Sequence, residues 1–299
     1  MFNVTKYSLW TAVVTPMFPE GSIDFDSLKN LLEFQEKANN GVVLLGSTGE
    51  GLSLGLDEKK RVLEFAISLE LKIPLMVGVP GFDLTQTLDW IDYCETLPIS
   101  AYLMVVPLYS KPGPKGQELW FKSLMDKATR PCMLYNIPSR SGTFLRFEAV
   151  KELAAHPNFW AIKEASGSPE QFKNYVNQVP NVMVYSGDDE LMPEFAPLGV
   201  KGLVSVASNV WPRETALYVN YCLNGKASLT SPVWAKACKA LFMTTNPIPV
   251  KALLHLRGMI AHSCVRLPLS DLDLTETDTL EKADRLIREW YLAHSKEMQ

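Results

Sequence analysis

Eight times between Leu9 and Ser205 a short apolar run is followed by a stretch of helical periodicity, and no second set of alternating strands interrupts the series. The runs lie at 9–16, 41–46, 73–79, 99–107, 131–137, 158–163, 181–187 and 200–205. The intervening helices are expected from Asp24 or Asp26 to about Ala38, from about Asp57, then over 83–97, 116–128, 146–155 and 169–178, with a short one near 189–197. Strands apolar on both faces belong in a parallel sheet covered by helices. Eight such units in this length predict an α/β fold of the (β/α)8 TIM-barrel type. A doubly wound sheet is the alternative, but no glycine-rich dinucleotide fingerprint follows the first strand. From Pro212 the pattern is helical to the end, broken at Asn246-Pro247-Ile248-Pro249 and Arg266-Leu267-Pro268-Leu269. The expected division is a catalytic barrel over residues 1–225 and a C-terminal helical region over 226–299.

Hydrophobic residues make up 47% of the 299, enough for a sizeable core. The net charge of −4 leaves no footprint for nucleic acid or an anionic membrane surface. No run approaches a membrane span, and the N-terminus lacks the pattern of a signal peptide. Five cysteines without close pairs read as reduced thiols of a cytoplasmic protein. His255 and His262 lie two turns apart on an expected helix, but none of the four histidines falls in a metal-ligand motif. No metal and no cofactor is called for.

The chemistry concentrates in two stretches, Met133–Gly142 (Met-Leu-Tyr-Asn-Ile-Pro-Ser-Arg-Ser-Gly) and Trp160–Gly167 (Trp-Ala-Ile-Lys-Glu-Ala-Ser-Gly). Lys163 stands where its strand runs out, on the same face as Ala161, with Trp160 and Ile162 pointing the other way. Burial among apolar neighbours favours the neutral amine of a lysine, because desolvation penalises the ammonium form. A neutral amine can attack a ketone to give a Schiff base. Tyr135 ends the preceding strand and can move a proton, and Arg140 can hold a carboxylate through a bidentate pair. Barrel active sites lie at the C-terminal strand ends, which adds Ser47, Thr48, Tyr109 and the Ser186-Gly187-Asp188-Asp189 turn to the inventory. Taken singly each has a plainer reading. Lys163 and Arg140 are equally surface charges, Tyr109 packing, Gly46-Ser47-Thr48-Gly49 a tight turn, and Asp188-Asp189 a helix cap with first-turn charge. A phosphate-binding barrel would need a glycine-rich loop after its last strands, and Val204–Asn209 is a poor one.

Gly46-Ser47-Thr48-Gly49-Glu50, Tyr135–Gly142, Ile162–Gly167, Ser186–Asp189 and Asn246-Pro247-Ile248-Pro249-Val250-Lys251, in this order, resemble the pyruvate-dependent lyase superfamily. The nearest resemblance is to the dihydrodipicolinate synthase family, and it extends over essentially the whole chain. It implies that Lys163 forms the Schiff base with pyruvate and that the enamine attacks L-aspartate 4-semialdehyde, on the route to diaminopimelate and lysine. Tyr135 would exchange protons, in a relay with Ser47 and Tyr109. Thr48 and its backbone would bind the pyruvate carboxylate, Arg140 the carboxylate of the second substrate, and Gly187 and Val204 would line the site through carbonyls. Ser47 replaces the family's threonine, keeping the hydroxyl with a freer rotor.

The family also implies a homo-oligomer, a pair of dimers, in which Tyr109 reaches a neighbouring subunit's site. Leu108 stands where the family often has a first tyrosine. Many members are inhibited by lysine at a cleft between subunits. Here Leu52, Leu56, Lys59, Phe82, Gln86 and Leu108 occupy the matching positions: Gln86 lacks the negative charge, Lys59 adds a like charge, and Leu56, Phe82 and Leu108 cannot replace the lost hydrogen bonds, so lysine inhibition is expected to be weak or absent. Two rivals stand beside this reading: a pyruvate-dependent aldolase of another 2-keto acid, such as N-acetylneuraminate lyase or a 2-keto-3-deoxy sugar acid aldolase, and a non-catalytic barrel used as a binding protein.

Overall fold

The computed structural model describes residues 2–79, 81–230 and 232–295. Eight parallel strands close into a barrel in sequence order: β1 (Leu9–Ala12), β2 (Gly41–Leu44), β3 (Leu75–Val79), β4 (Ala101–Val105), β5 (Cys132–Asn136), β6 (Phe159–Glu164), β7 (Met183–Ser186) and β8 (Leu203–Ser205), with β8 pairing back on β1. Around them lie α1 (Phe25–Lys37), α2 (Leu56–Ser68), α3 (Leu84–Glu95), α4 (Pro114–Lys127), α5 (Phe147–Leu153), α6 (Pro169–Gln178), α7 (Met192–Phe195) and α8 (Pro212–Leu223). Most strands are shorter than the apolar runs, β3 and β8 losing residues only at their N-terminal ends, while β6 keeps the length of its run. Asp24, not Asp26, caps α1, its carboxylate accepting from the Ser27 N–H at 3.0 Å. The helix expected near 189–197 is three short turns, since Pro193 and Pro197 each open a new one.

Two apolar layers organise the core. Outward-facing strand residues such as Val42, Leu134 and Ile162 pack under the helices. The inner layer fills the N-terminal end of the barrel with Trp10, Met76, Met133, Trp160 and Tyr185. The Trp10 ring lies 5.8 Å from that of Trp160, which in turn lies 5.6 Å from Tyr185, centroid to centroid. Gly41 accommodates this plug: a Cβ there would meet the Trp10 ring at 2.6 Å. Trp160 therefore points inward, against the alternation expected for it. The cause is a bulge: Cys132 pairs with Phe159 but Met133 with Ala161, so Trp160 is skipped in the ladder. Beyond the bulge the alternation holds, with Ile162 outward and Ala161 inward.

The C-terminal helices α9 (Val233–Leu241), α10 (Ile248–Leu256) and α11 (Asp278–His294) continue the outer core. Tyr218 of α8 stacks on Trp234 of α9 at 4.2 Å, and Trp234 meets Trp290 of α11 edge to face at 5.4 Å. His255 lies in α10, but the helix ends before His262, whose ring instead faces Phe18 at 5.9 Å. Among the described residues no helix is long and apolar enough to cross a membrane.

Candidate active site

Lys163 is buried at the open end of the barrel. The ladder sets it opposite Tyr135 on one side and Tyr185 on the other. Its Nζ lies 4.2 Å from the centroid of the Tyr135 ring. The strand runs one residue further than the apolar stretch, so Lys163 is the penultimate residue of β6 and Glu164 the last. On the β7 side the space for the lysine stem exists because residue 187 is glycine. A Cβ there would stand 2.8 Å from Lys163 Cε and 2.6 Å from the Ala165 methyl.

A cavity of about 490 Å³ reaches Tyr135, with Ser47 and Arg140 also in its wall; Lys163, Thr48, Gly187 and Val204 are not among its lining residues. Thr48 stands behind the same turn, buried, its hydroxyl accepting from Asn246 Nδ2 at 3.0 Å. Arg140 donates from Nη2 to the Asn246 carbonyl at 3.0 Å, so one residue of the helical tail holds both the turn threonine and the arginine. Asn246 went unassigned in the sequence, where Asn246–Lys251 registered as a motif without a role. Val204 lies in the barrel interior, opposite Trp10 in the ladder. Tyr109 is not in the cavity wall. It stands 89% exposed on a backbone with φ +67°.

Three carboxylates surround the lysine strand. Glu164 is fully buried and accepts from Asn136 Nδ2 at 2.6 Å and from the Ser166 N–H at 2.7 Å. Burial nevertheless holds its pKa above the ordinary carboxylate value. Asp189 does not present a first-turn charge to solvent as the sequence suggested. It is buried and accepts from the Ser205 hydroxyl and from the N–H groups of Val206 at 2.9 Å and Ala207 at 3.3 Å, tying the end of β7 to the loop after β8. Asp188 makes no side-chain cap. Its carboxylate turns instead to the Gly167 N–H at 3.2 Å. Burial pushes its pKa up to about 6, with the Lys163 charge pulling the other way. Among the described residues no group of three or more His, Cys, Asp and Glu side chains could hold a metal ion.

An amine buried beside a phenol at the mouth of a parallel barrel, with a guanidinium on the cavity that the phenol lines, is the inventory of a Schiff-base lyase. The chain belongs to the dihydrodipicolinate synthetase family, whose sequence profile matches residues 6–285. It is 50% identical over 283 residues to the 4-hydroxy-tetrahydrodipicolinate synthase of Wolbachia pipientis subsp. Culex pipiens, covering 94% of this chain and 96% of that one. The 4-hydroxy-tetrahydrodipicolinate synthase of the thermoacidophilic methanotroph Methylacidiphilum fumariolicum SolV superposes with a TM-score of 0.90 at 30% identity, over 96% of this chain and 97% of that one. The enzyme of Cyanidioschyzon merolae, crystallised with lysine bound, superposes at a TM-score of 0.86 and 30% identity, over 97% and 98% of the two chains.

The raised Asp188 carboxyl has a consequence for stability. From an ordinary value of 3.8 it moves to about 6 in the fold. The folded state then binds this proton more tightly than the unfolded one, so the contribution is present at low pH and is lost as pH rises through about 6. In Asp188→Asn this loss disappears. Urea midpoints followed across that window should show the variant gaining on the parent as pH rises, and parallel curves would contradict the assignment.

Proposed function

We propose that this chain carries out the 4-hydroxy-tetrahydrodipicolinate synthase reaction, condensing pyruvate with L-aspartate 4-semialdehyde through an imine on Lys163. The observation that carries this reading is the buried Lys163 amine 4.2 Å from the ring of Tyr135, which lines a cavity together with Arg140. Lys163 Nζ attacks the ketone carbon of pyruvate, water leaves, and the imine forms. Loss of a methyl proton gives the enamine, whose carbon attacks the aldehyde while the aldehyde oxygen takes up a proton. The amino group of the second substrate then attacks the imine carbon and releases the lysine amine as the ring closes. Tyr135 is placed to exchange these protons, with the Ser47 hydroxyl on the same cavity wall. Thr48 and its neighbouring N–H groups would receive the pyruvate carboxylate, and the carbonyls of Gly187 and Val204 would bound the pocket.

A homo-oligomer, arranged as a pair of dimers, belongs to this reading. An 89% exposed tyrosine on a left-handed backbone has its natural place in a second subunit's relay. The five cysteines, all unbridged, support a cytoplasmic setting.

The direct test is turnover of pyruvate with L-aspartate 4-semialdehyde, coupled to a reductase that consumes the product. Arg140→Ala removes one charge-assisted contact, worth about 1.5–3 kcal/mol. Its kcat/KM for the semialdehyde should fall about ten- to a hundredfold. Unchanged condensation would favour an aldolase of a sugar-derived 2-keto acid.

Inhibition by lysine should be absent at millimolar concentrations. At the positions that would hold it, Leu52, Leu56 and Phe82 are exposed carbon surface, and the Gln86 amide is already bonded to Asp83 at 3.2 Å. Such a site would strip water from an ammonium and a carboxylate without replacing it. Steady-state rates with added L-lysine check this, and clear partial inhibition would show the cleft to be competent.

A further inference from the structure

The turn Arg266–Leu269, between α10 and α11, reaches back over the barrel mouth, and Pro268 and Leu269 form part of the cavity wall. Both come from the helical tail; the rest of the wall comes from the ends of β2 to β5 and the loops that follow them. We propose that Leu269, with Pro268 at the rim, is a specificity-determining residue, supplying an apolar wall that favours a short aldehyde over a polyhydroxylated one. The proposal rests on the synthase reading above and names what on this chain enforces its second substrate.

The turn is anchored at its Arg266 end. The Arg266 guanidinium gives the Glu58 carboxylate two bonds, at 2.7 and 2.8 Å, and donates further to the carbonyls of Ser53, at 2.9 Å, and Gly21. Its backbone N–H donates to Glu50 Oε2 at 2.8 Å. The other Glu50 oxygen is held by the buried Lys251 ammonium at 2.5 Å, and Lys251 also donates to the Cys264 carbonyl at 2.7 Å. Arg266 directly, and Cys264 through Lys251, are thus tied to one carboxylate that itself borders the cavity. The Leu269 N–H donates to the Arg266 carbonyl at 3.1 Å and closes the turn. A wall so tied stays in place when substrate enters.

Its chemistry is selective. Leu269 faces the same space as Val105, Leu108 and Ile137, all carbon. A hydroxyl group laid against those carbon surfaces would give up water without finding a partner there, the polar lining residues Ser47, Glu50, Ser53 and Arg140 belonging to the rest of the wall. A substrate with one methylene between its aldehyde and its charged end loses little there. Leu269 is only half-buried, so its replacement does not open the core.

The experiment measures kcat/KM with pyruvate for L-aspartate 4-semialdehyde and for D-glyceraldehyde, in the parent, Leu269→Ser and Leu269→Met. Reading the ratio of the two cancels any general loss of stability or imine formation. Leu269→Ser should lower the preference for the semialdehyde about tenfold, in line with what one small change in an apolar pocket achieves. Leu269→Met, which keeps the carbon wall, should hold the parent preference to within about twofold. An unchanged ratio in Leu269→Ser, or an equal fall in both variants, overturns the proposal. A parent enzyme that fails to condense the semialdehyde at all overturns the functional reading, and this inference with it.

Discussion

The pairing of β5 with β6 is the constraint on which the site depends. In a parallel ladder the register is set by backbone hydrogen bonds, and here it places Tyr135 directly across from Lys163. Closure of the barrel leaves neither strand an edge along which to slip. The aromatic plug of Trp10, Trp160 and Tyr185 fills the N-terminal half, so the space that remains lies at the other end, where Tyr135 lines it. Gly187 then decides whether the lysine stem fits at all, since any side chain there would collide with it. A buried lysine among these neighbours follows from packing as much as from chemistry.

The helical tail is bound to that mouth through polar contacts. Glu50 and Lys251 form an ion pair with both side chains almost wholly buried. Such a pair adds little net stability against a well-packed apolar substitute, yet breaking one side of it costs several kcal/mol, about 3–5. Its cost is offset by what it joins: the turn that carries Ser47 and Thr48, the start of the Arg266 turn, and α10. Asn246, at the head of α10, completes the connection by reaching Thr48 and Arg140 together. The geometry of the candidate site is therefore a property of the barrel and tail jointly.

The barrel was legible because its periodicity is repeated eight times, and each repetition restricts the same answer. Lys163, Tyr135, Ser47 and Arg140 were legible because strand ends are where a barrel displays polar groups. What escaped was long-range or local in ways that pattern reading does not reach. Trp160 turns inward on a bulge, and nothing in its neighbours announces an extra residue in the ladder. Asp188 and Asp189 look like a cap because the local sequence suits one. Their partners, Gly167, Ser205 and Val206, are brought in by neighbouring strands. Asn246 acts on residues 198 and 106 positions away, a relation only the fold creates. Tyr109 is exposed and absent from the cavity wall, which its place beside Pro107 does not foretell.

The central claim is that Lys163 carries the covalent intermediate. Incubation with pyruvate and borohydride, digestion and mass spectrometry test it most directly. Reduction of a pyruvate imine should add one adduct per chain, on the peptide containing Lys163, with loss of turnover in proportion. Lys251, the other deeply buried lysine among the described residues, is engaged by Glu50 and the Cys264 carbonyl and should remain unmodified. An adduct on Lys251 or on a surface lysine, or full activity after reduction in the presence of pyruvate, would contradict the account.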